Sequence, residues 1–246
     1  MTVLILGGTT GLGRTLTYEL AKQGNSIIFT GRDKRDLDAI SSHLKLVTST
    51  IHFGLVLDLY SHNSISEFIV ELSKLDFGIT QVFLPIAESQ DIDTIHIDPS
   101  NLDRLVRINF SGIVEVVSGI LNECSTESLE NFTGFGSVAA FSGRSKNVSY
   151  SAAKRAQESY FESLMVALST TQISCHFFRL GYLDTGKTKA IKLKFPKVST
   201  EKVARYVLSK KNKKSRIYTF PRFWSLIGFA VRHSPLSIKV RLDRIS

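Results

Sequence analysis

The sequence predicts an α/β fold, one doubly wound parallel sheet in a single domain with a basic C-terminal extension. Three observations predict it. Short apolar runs alternate with longer amphipathic runs along the first three quarters of the chain. A glycine-rich turn, Leu6-Gly7-Gly8-Thr9-Thr10-Gly11-Leu12-Gly13, joins the first apolar run to the first amphipathic one. The chain has 246 residues, 43% of them apolar, which suits one domain with a large core.

In order, residues 3–6 form an apolar strand and 12–23 a helix. Residues 26–30 are a second strand, 37–45 a helix, 50–57 a third strand and 65–75 a helix. Residues 81–86 are a fourth strand, 102–121 a long helix and Asn131–Ser137 a fifth strand. Residues 152–169 are another long helix and 173–180 a sixth strand. Strands buried on both faces read as continuous apolar runs, and alternation with helices gives a parallel sheet covered on both sides. Right-handed crossovers then wind it in two directions. No repeat of solenoid period and no low-complexity linker occurs. The alternation breaks after Gly186, which divides the chain into 1–185 and an extension, 186–246.

Charge follows the same division. The net charge is +9, yet 17 lysines and arginines face two acids after residue 185. That stretch carries +15 and the rest −6, so an anionic partner would meet the tail. The N-terminus has no basic region and no cleavage site, which argues against a secretion signal, and no apolar run reaches the length of a spanning helix. Cys124 and Cys175 have neither metal-ligand nor redox spacing, which suits free thiols in a reducing cytoplasm. His43, His52, His62, His96, His176 and His233 show no ligand spacing either, so no metal is expected.

The glycine turn sits where a strand meets a helix. Glycines let the backbone approach a pyrophosphate, and the helix N-terminus directs N–H groups at it; the alternative is a plain turn. After the second strand the chain has Thr30-Gly31-Arg32. A guanidinium there suits a 2′-phosphate, with Arg14 in support, and favours NADP(H) over NAD(H). Asp33, one residue later, would instead suit a ribose diol, and Arg32 as a solvated cation is the plain alternative.

Tyr150-Ser151-Ala152-Ala153-Lys154 opens the last long helix. Spacing i, i+4 puts Tyr150 and Lys154 on one face. A nearby ammonium favours the phenolate and would lower a tyrosine pKa toward a usable acid or base. Ser137 ends the fifth strand, at the sheet edge where ligands bind in such folds, and can hydrogen-bond a substrate carbonyl.

With these residues the chain resembles the short-chain dehydrogenase/reductase family from residue 2 to about 185. The family's T-G-x-x-x-G-[IL]-G is matched from Leu6 to Gly13, except at Leu6. The acid after strand three is matched by Asp58 in Leu57-Asp58-Leu59, and the active-site asparagine by Asn109. The segment after strand six, Leu180-Gly181-Tyr182-Leu183-Asp184-Thr185, keeps the family's glycine and threonine but not its proline. The resemblance implies a Rossmann-type fold and catalysis by Asn109, Ser137, Tyr150 and Lys154. Tyr150 would be the acid/base, Lys154 would bind the nicotinamide ribose and lower the tyrosine pKa, Ser137 would orient the carbonyl, and Asn109 would hold a relay water. Cofactor contacts fall on Gly7, Thr9, Thr10, Gly11, Leu12, Gly13, Arg14, Arg32, Asp58, Leu59, Ala87, Tyr150, Lys154, Gly181, Leu183 and Thr185. The substrate is expected to be a small carbonyl or alcohol, and the chain a homo-oligomer, dimer or tetramer. One departure is large: where the family has N-N-A-G, this chain has Pro85-Ile86-Ala87-Glu88.

Lys187, Lys189, Lys192, Lys194 and Lys197 crowd the segment expected to cover the substrate, and would suit an anionic one. Residues 220–233 are apolar and aromatic between cations. They read either as an interfacial helix on an anionic membrane, within 220–246, or as a helix packed on the core or another subunit. The aromatics form one block rather than spaced stacking positions, which argues against nucleic acid. Two functions follow. One is an NADP(H)-dependent oxidoreductase on a ketone or secondary alcohol, possible substrates being anionic, sugar-derived (as half of an epimerisation) or lipid-linked. The other is a non-catalytic, membrane-associated dinucleotide-binding scaffold or sensor.

Overall fold

The computed structural model describes residues 1–75, 77–89, 93–186, 195–210 and 214–245. The first half runs β1 (Thr2–Ile5), α1 (Gly11–Lys22), β2 (Ser26–Gly31), α2 (Lys34–Val47), β3 (His52–Val56), α3 (His62–Lys74) and β4 (Ile79–Leu84). It continues through α4 (Pro99–Val106), α5 (Gly112–Glu123), β5 (Asn131–Ser137), α6 (Val148–Ala167) and β6 (Ser174–Leu180). A short parallel pair, β7 (Leu183–Asp184) and β8 (Val198–Ser199), precedes α7 (Thr200–Leu208), β9 (Arg216–Phe220), α8 (Phe223–His233) and α9 (Leu236–Ile245).

Seven parallel strands lie in the order β3-β2-β1-β4-β5-β6-β9. Period-two alternation in buried strands feeds a core on each side of the sheet. Val3 and Ile5 join Leu16 and Leu20 of α1, Leu37 of α2 and Val203 of α7. Leu4 joins Ile65 and Phe68 of α3, Val116 of α5 and Phe161 of α6 on the other side. Each such aliphatic side chain contributes about 1.5–3 kcal/mol by leaving water. Strand order reverses between β1 and β4, so a crevice opens at their carboxyl ends.

Four expectations change. The alternation does not stop at residue 186: α7 packs beside α1, and β9 pairs with β6 from His176↔Arg216 to Leu180↔Phe220. As an edge strand with a cation at its start and half-buried residues, β9 lacks the apolar run that marks the inner strands. Phe220 belongs to that strand, so the helix expected over 220–233 begins only at Phe223. Finally, Pro99–Glu123 is long and apolar enough to cross a bilayer by length and composition, which the sequence reading assigned to no segment. Its Leu105, Ile108, Ile113, Val116, Val117 and Ile120 are buried, so it serves here as a core helix. Residues Arg107–Ser111 within it wind as a π-turn, splitting the single helix expected over 102–121.

Candidate active site

The glycine turn is held against β2: the Gly7 N–H donates to Thr30 Oγ1 at 2.9 Å and the Gly8 N–H to the Thr30 carbonyl at 2.8 Å. Gly11 has φ +50°, in the left-handed region that favours glycine. A Cβ on Gly13 would stand 2.0 Å from the Gly7 carbonyl oxygen, so only glycine lets the turn close onto the helix. Thr10 caps α1 without a side-chain hydrogen bond and no acid lies in the first turn, which leaves the N–H groups of Leu12 and Gly13 to an anion. Thr185 overhangs this turn, its Cγ2 3.8 Å from where a Gly11 Cβ would be. Leu183, in β7, ties the same segment to β8. This cradle of open N–H groups, tight glycine backbone and overhanging threonine fits the pyrophosphate of a dinucleotide.

At the end of β2, Arg32 is exposed, with its guanidinium 4.0 Å from the Glu88 carboxylate. Glu88 is itself held by Arg104 through two bonds, Nε to Oε1 at 2.5 Å and a second to Oε2 at 3.1 Å. Arg104 in turn lies 5.3 Å above the Tyr60 ring. Asp33, the competing acid, is spent locally: its side chain caps α2 at the Arg35 N–H, 2.8 Å away, and pairs with the Arg35 guanidinium at 2.7 Å. The Arg35 hydrogen bonds hold its carboxyl below the ordinary aspartate value. Arg14, on the exposed face of α1, has its guanidinium 5.7 Å from the Tyr18 ring. Asp58 accepts from the Tyr60 N–H at 3.0 Å, beside buried Leu59.

Asn109 sits on the π-turn and is fully buried. Its amide clamps residue 88 from both sides: Oδ1 accepts from the Glu88 N–H at 3.2 Å and Nδ2 donates to the Glu88 carbonyl at 2.8 Å. Nδ2 also reaches the Leu105 carbonyl at 2.9 Å. The asparagine side chain therefore ties the π-turn to the main chain at residue 88, at the end of the β4 extension.

Ser137 closes β5, and its hydroxyl lies beside Tyr150 on the first turn of α6. Burial raises the Tyr150 pKa above the ordinary tyrosine value, and the Ser137 hydroxyl opposes this only in part. The expected lowering by the Lys154 ammonium is corrected here. Lys154 is 1% exposed and turns its amine into the protein, donating to the Ile86 and Phe135 carbonyls at 3.3 Å each and to Gln157 Oε1 at 2.9 Å. Burial pushes its own pKa down to about 7. Beyond the pair, Gly181 lies flat against the Trp224 indole. Trp224 is flanked by Phe195 at 4.6 Å, Phe223 at 5.3 Å and Tyr182 at 6.0 Å, and the Tyr182 hydroxyl accepts from Arg144 at 3.3 Å.

Sequence reasoning missed two residues. Asp93, 1% exposed, accepts from the N–H groups of Ser149 and Tyr150 at 2.8 Å each and so caps the helix that carries Tyr150 and Lys154. Nothing local in the long segment before α4 announces it. Gln157 had a signal: a polar residue one turn after Lys154 on an inward-facing stripe. Of the lysines expected over the substrate, only Lys197 lies within the described residues. Among the described residues no group of three or more His, Cys, Asp or Glu side chains could hold a metal ion.

The model of the short chain dehydrogenase family matches residues 1–194. A 3-oxoacyl-acyl-carrier-protein reductase of Buchnera aphidicola is 24% identical over 190 residues, covering 77% of this chain and 76% of that protein. Hydroxysteroid 11-beta-dehydrogenase 1-like protein B of Xenopus laevis is 30% identical over 189 residues, covering 74% of this chain and 64% of the other. Among solved structures, a short-chain dehydrogenase from Sphingobium yanoikuyae in complex with NADPH superposes with a TM-score of 0.82 at 19% identity, over 93% of this chain and 92% of the other. The bulky-bulky ketone specific alcohol dehydrogenase of Comamonas testosteroni gives 0.81 at 19% identity, over 93% and 91%.

Proposed function

The chain belongs to the short-chain dehydrogenase family and is an oxidoreductase, and we propose that it is NADP(H)-dependent and interconverts a ketone and a secondary alcohol with Tyr150 as the acid/base. One observation carries this reading: Ser137, Tyr150 and Lys154 converge at the carboxyl edge of the sheet, beside the glycine cradle. Bound nicotinamide supplies or accepts the hydride. Tyr150 gives its phenolic proton to the substrate oxygen in reduction and takes it back in oxidation, while Ser137 holds that oxygen. Burial keeps the phenol protonated at neutral pH, which suits reduction. Lys154 binds the nicotinamide ribose, and Arg32 takes the 2′-phosphate, since Asp33 is committed to α2. Tyr150→Phe keeps the ring and removes the proton, so turnover is expected to fall about 100-fold or more while NADPH still binds. Unchanged turnover would remove Tyr150 from the chemistry.

The substrate is apolar next to its carbonyl and anionic further out, a lipid-linked carbonyl being the best fit. Support comes from the aromatic cluster of Tyr182, Phe195 and Trp224, where Arg144 donates to the Tyr182 hydroxyl, and the relatives named for 3-oxoacyl and hydroxysteroid compounds agree. The same reading gives α8 and α9 to an anionic membrane surface. Trp224 and Gly228 anchor α8 on the domain, while Leu226 and Phe229 remain 78% and 68% exposed. On α9, Leu236 is 75% exposed, and Arg222, Lys239 and Arg241 stand among these apolar groups. Leu226→Ser/Phe229→Ser should reduce co-sedimentation with phosphatidylserine vesicles; equal pelleting with neutral vesicles or in the variant would refute the assignment.

A further inference from the structure

We propose that Gln157 is a positioning residue for Lys154, holding the lysine amine at the catalytic site through the bond from Nζ to its Oε1. This rests on the reading of Lys154 as part of the catalytic group. Lys154 has three donors as an ammonium, and three acceptors meet them, so a ribose hydroxyl would take the place of one of the two long main-chain bonds while the shorter Gln157 bond stays. Two are main-chain carbonyls at 3.3 Å, and the third, at 2.9 Å, is the Gln157 amide. The spacing i, i+3 on α6 makes the pairing local. Both residues are buried, Gln157 completely.

The amide is poorly employed as a packing element. Turning Oε1 to the lysine leaves Gln157 Nε2 buried without a hydrogen-bond partner. An unsatisfied buried donor is unfavourable, and a methionine of the same length would fill the space without it. The arrangement makes sense if the amide serves the amine. Its oxygen accepts from the ammonium and so favours the charged form against burial. That matters because burial holds Lys154 near neutrality in its titration, at about 7.

Other ionisable groups on the packed elements are occupied elsewhere or neutral. On the β4 extension, Glu88 is paired with Arg104. On the π-turn, Arg107 is paired with Glu115. On β6, Arg179 is paired with Glu158 of α6, and Cys175 is pushed up to about 12 by burial. On α6 itself, Tyr150 is held protonated. β5 brings only the Ser137 hydroxyl to this site.

The test uses Gln157→Met, which removes the acceptor at constant length, and Gln157→Glu, which adds a charge. An activity that needs the ammonium is present below the lysine pKa and lost as pH rises through it. With Met the alkaline limb of kcat/KM should move about one unit lower, and with Glu about one unit or more higher. A packing role alone would move both variants the same way or not at all. The second readout is the 13Cε titration of Lys154 in the protein without cofactor, assigned by its absence in Lys154→Met. Opposite shifts of that titration in the two variants support the assignment even if the rate profile stays fixed, in which case the catalytic reading of Lys154 fails instead. An unmoved 13Cε titration overturns it. If Gln157→Glu does not fold, Gln157→Asn withdraws the amide by one methylene and should shift the titration as Met does; no shift there counts against the proposal.

Discussion

Glu88 stands between two arginines, and its removal should raise the ratio of NADPH to NADH affinity. In the structure its carboxylate is 4.0 Å from Arg32 and bonded twice to Arg104. Two unit charges 4 Å apart interact by about 1 kcal/mol in water and about 4 kcal/mol at an effective dielectric of 20. Arg32 is 61% exposed, so the lower figure applies. Glu88→Gln removes that competition for the guanidinium and should tighten NADPH about fivefold, with NADH little changed. Arg104→Met acts in the opposite direction: it frees Glu88 to close on Arg32 and should weaken NADPH by tenfold or so, the worth of a charge-assisted bond. Combining the two should restore NADPH affinity, because the carboxylate is then gone as well. Nicotinamide fluorescence titrations give both dissociation constants without turnover. If Glu88→Gln lowers the ratio of NADPH to NADH affinity, or if the double variant stays as weak as Arg104→Met, the carboxylate does not gate Arg32.

Two further predictions follow from buried carboxylates. Asp93→Ala removes the cap from α6 and should cost about 1–2 kcal/mol of stability by chemical denaturation. It should also lower kcat more than it raises KM, since the displaced turn carries Tyr150; an unchanged kcat would show that the cap does not position the phenol. Glu158 is buried midway along α6, where burial alone would raise its pKa, but bonds from Arg179 and Arg232 outweigh that and hold it below the ordinary glutamate value. Its stabilisation is therefore full above the unfolded glutamate pKa and is lost as pH falls through the lower folded one. Glu158→Gln should flatten the loss of stability between about pH 5 and 3; an identical acid limb in the variant would contradict the pairing.

The fold was legible because its signals are periodic. β1, β2, β4, β5 and β6 each send apolar side chains into the cores on both faces of the sheet, so burial dictated their composition even where polar residues such as Gln81, Thr133 and His176 interrupt the run. β9 was not legible, since an edge strand buries one face and tolerates Arg216 and Tyr218. Of the site, the parts that recur at fixed spacing could be read: the glycine turn, and Tyr150 with Lys154 one helical turn apart. The parts set by tertiary approach could not. Asp93 reaches Tyr150 across 57 positions and Asn109 reaches Glu88 across 21. The spacing also suggested an ammonium beside a phenol, whereas the structure turns Lys154 toward Gln157 and two carbonyls and leaves the phenol protonated by burial. Helical spacing places two side chains on one face but does not say which acceptors each will find there. In α6 burial keeps the Tyr150 phenol protonated beside Ser137, and it brings the Lys154 amine, which donates to the Gln157 amide, down to about 7.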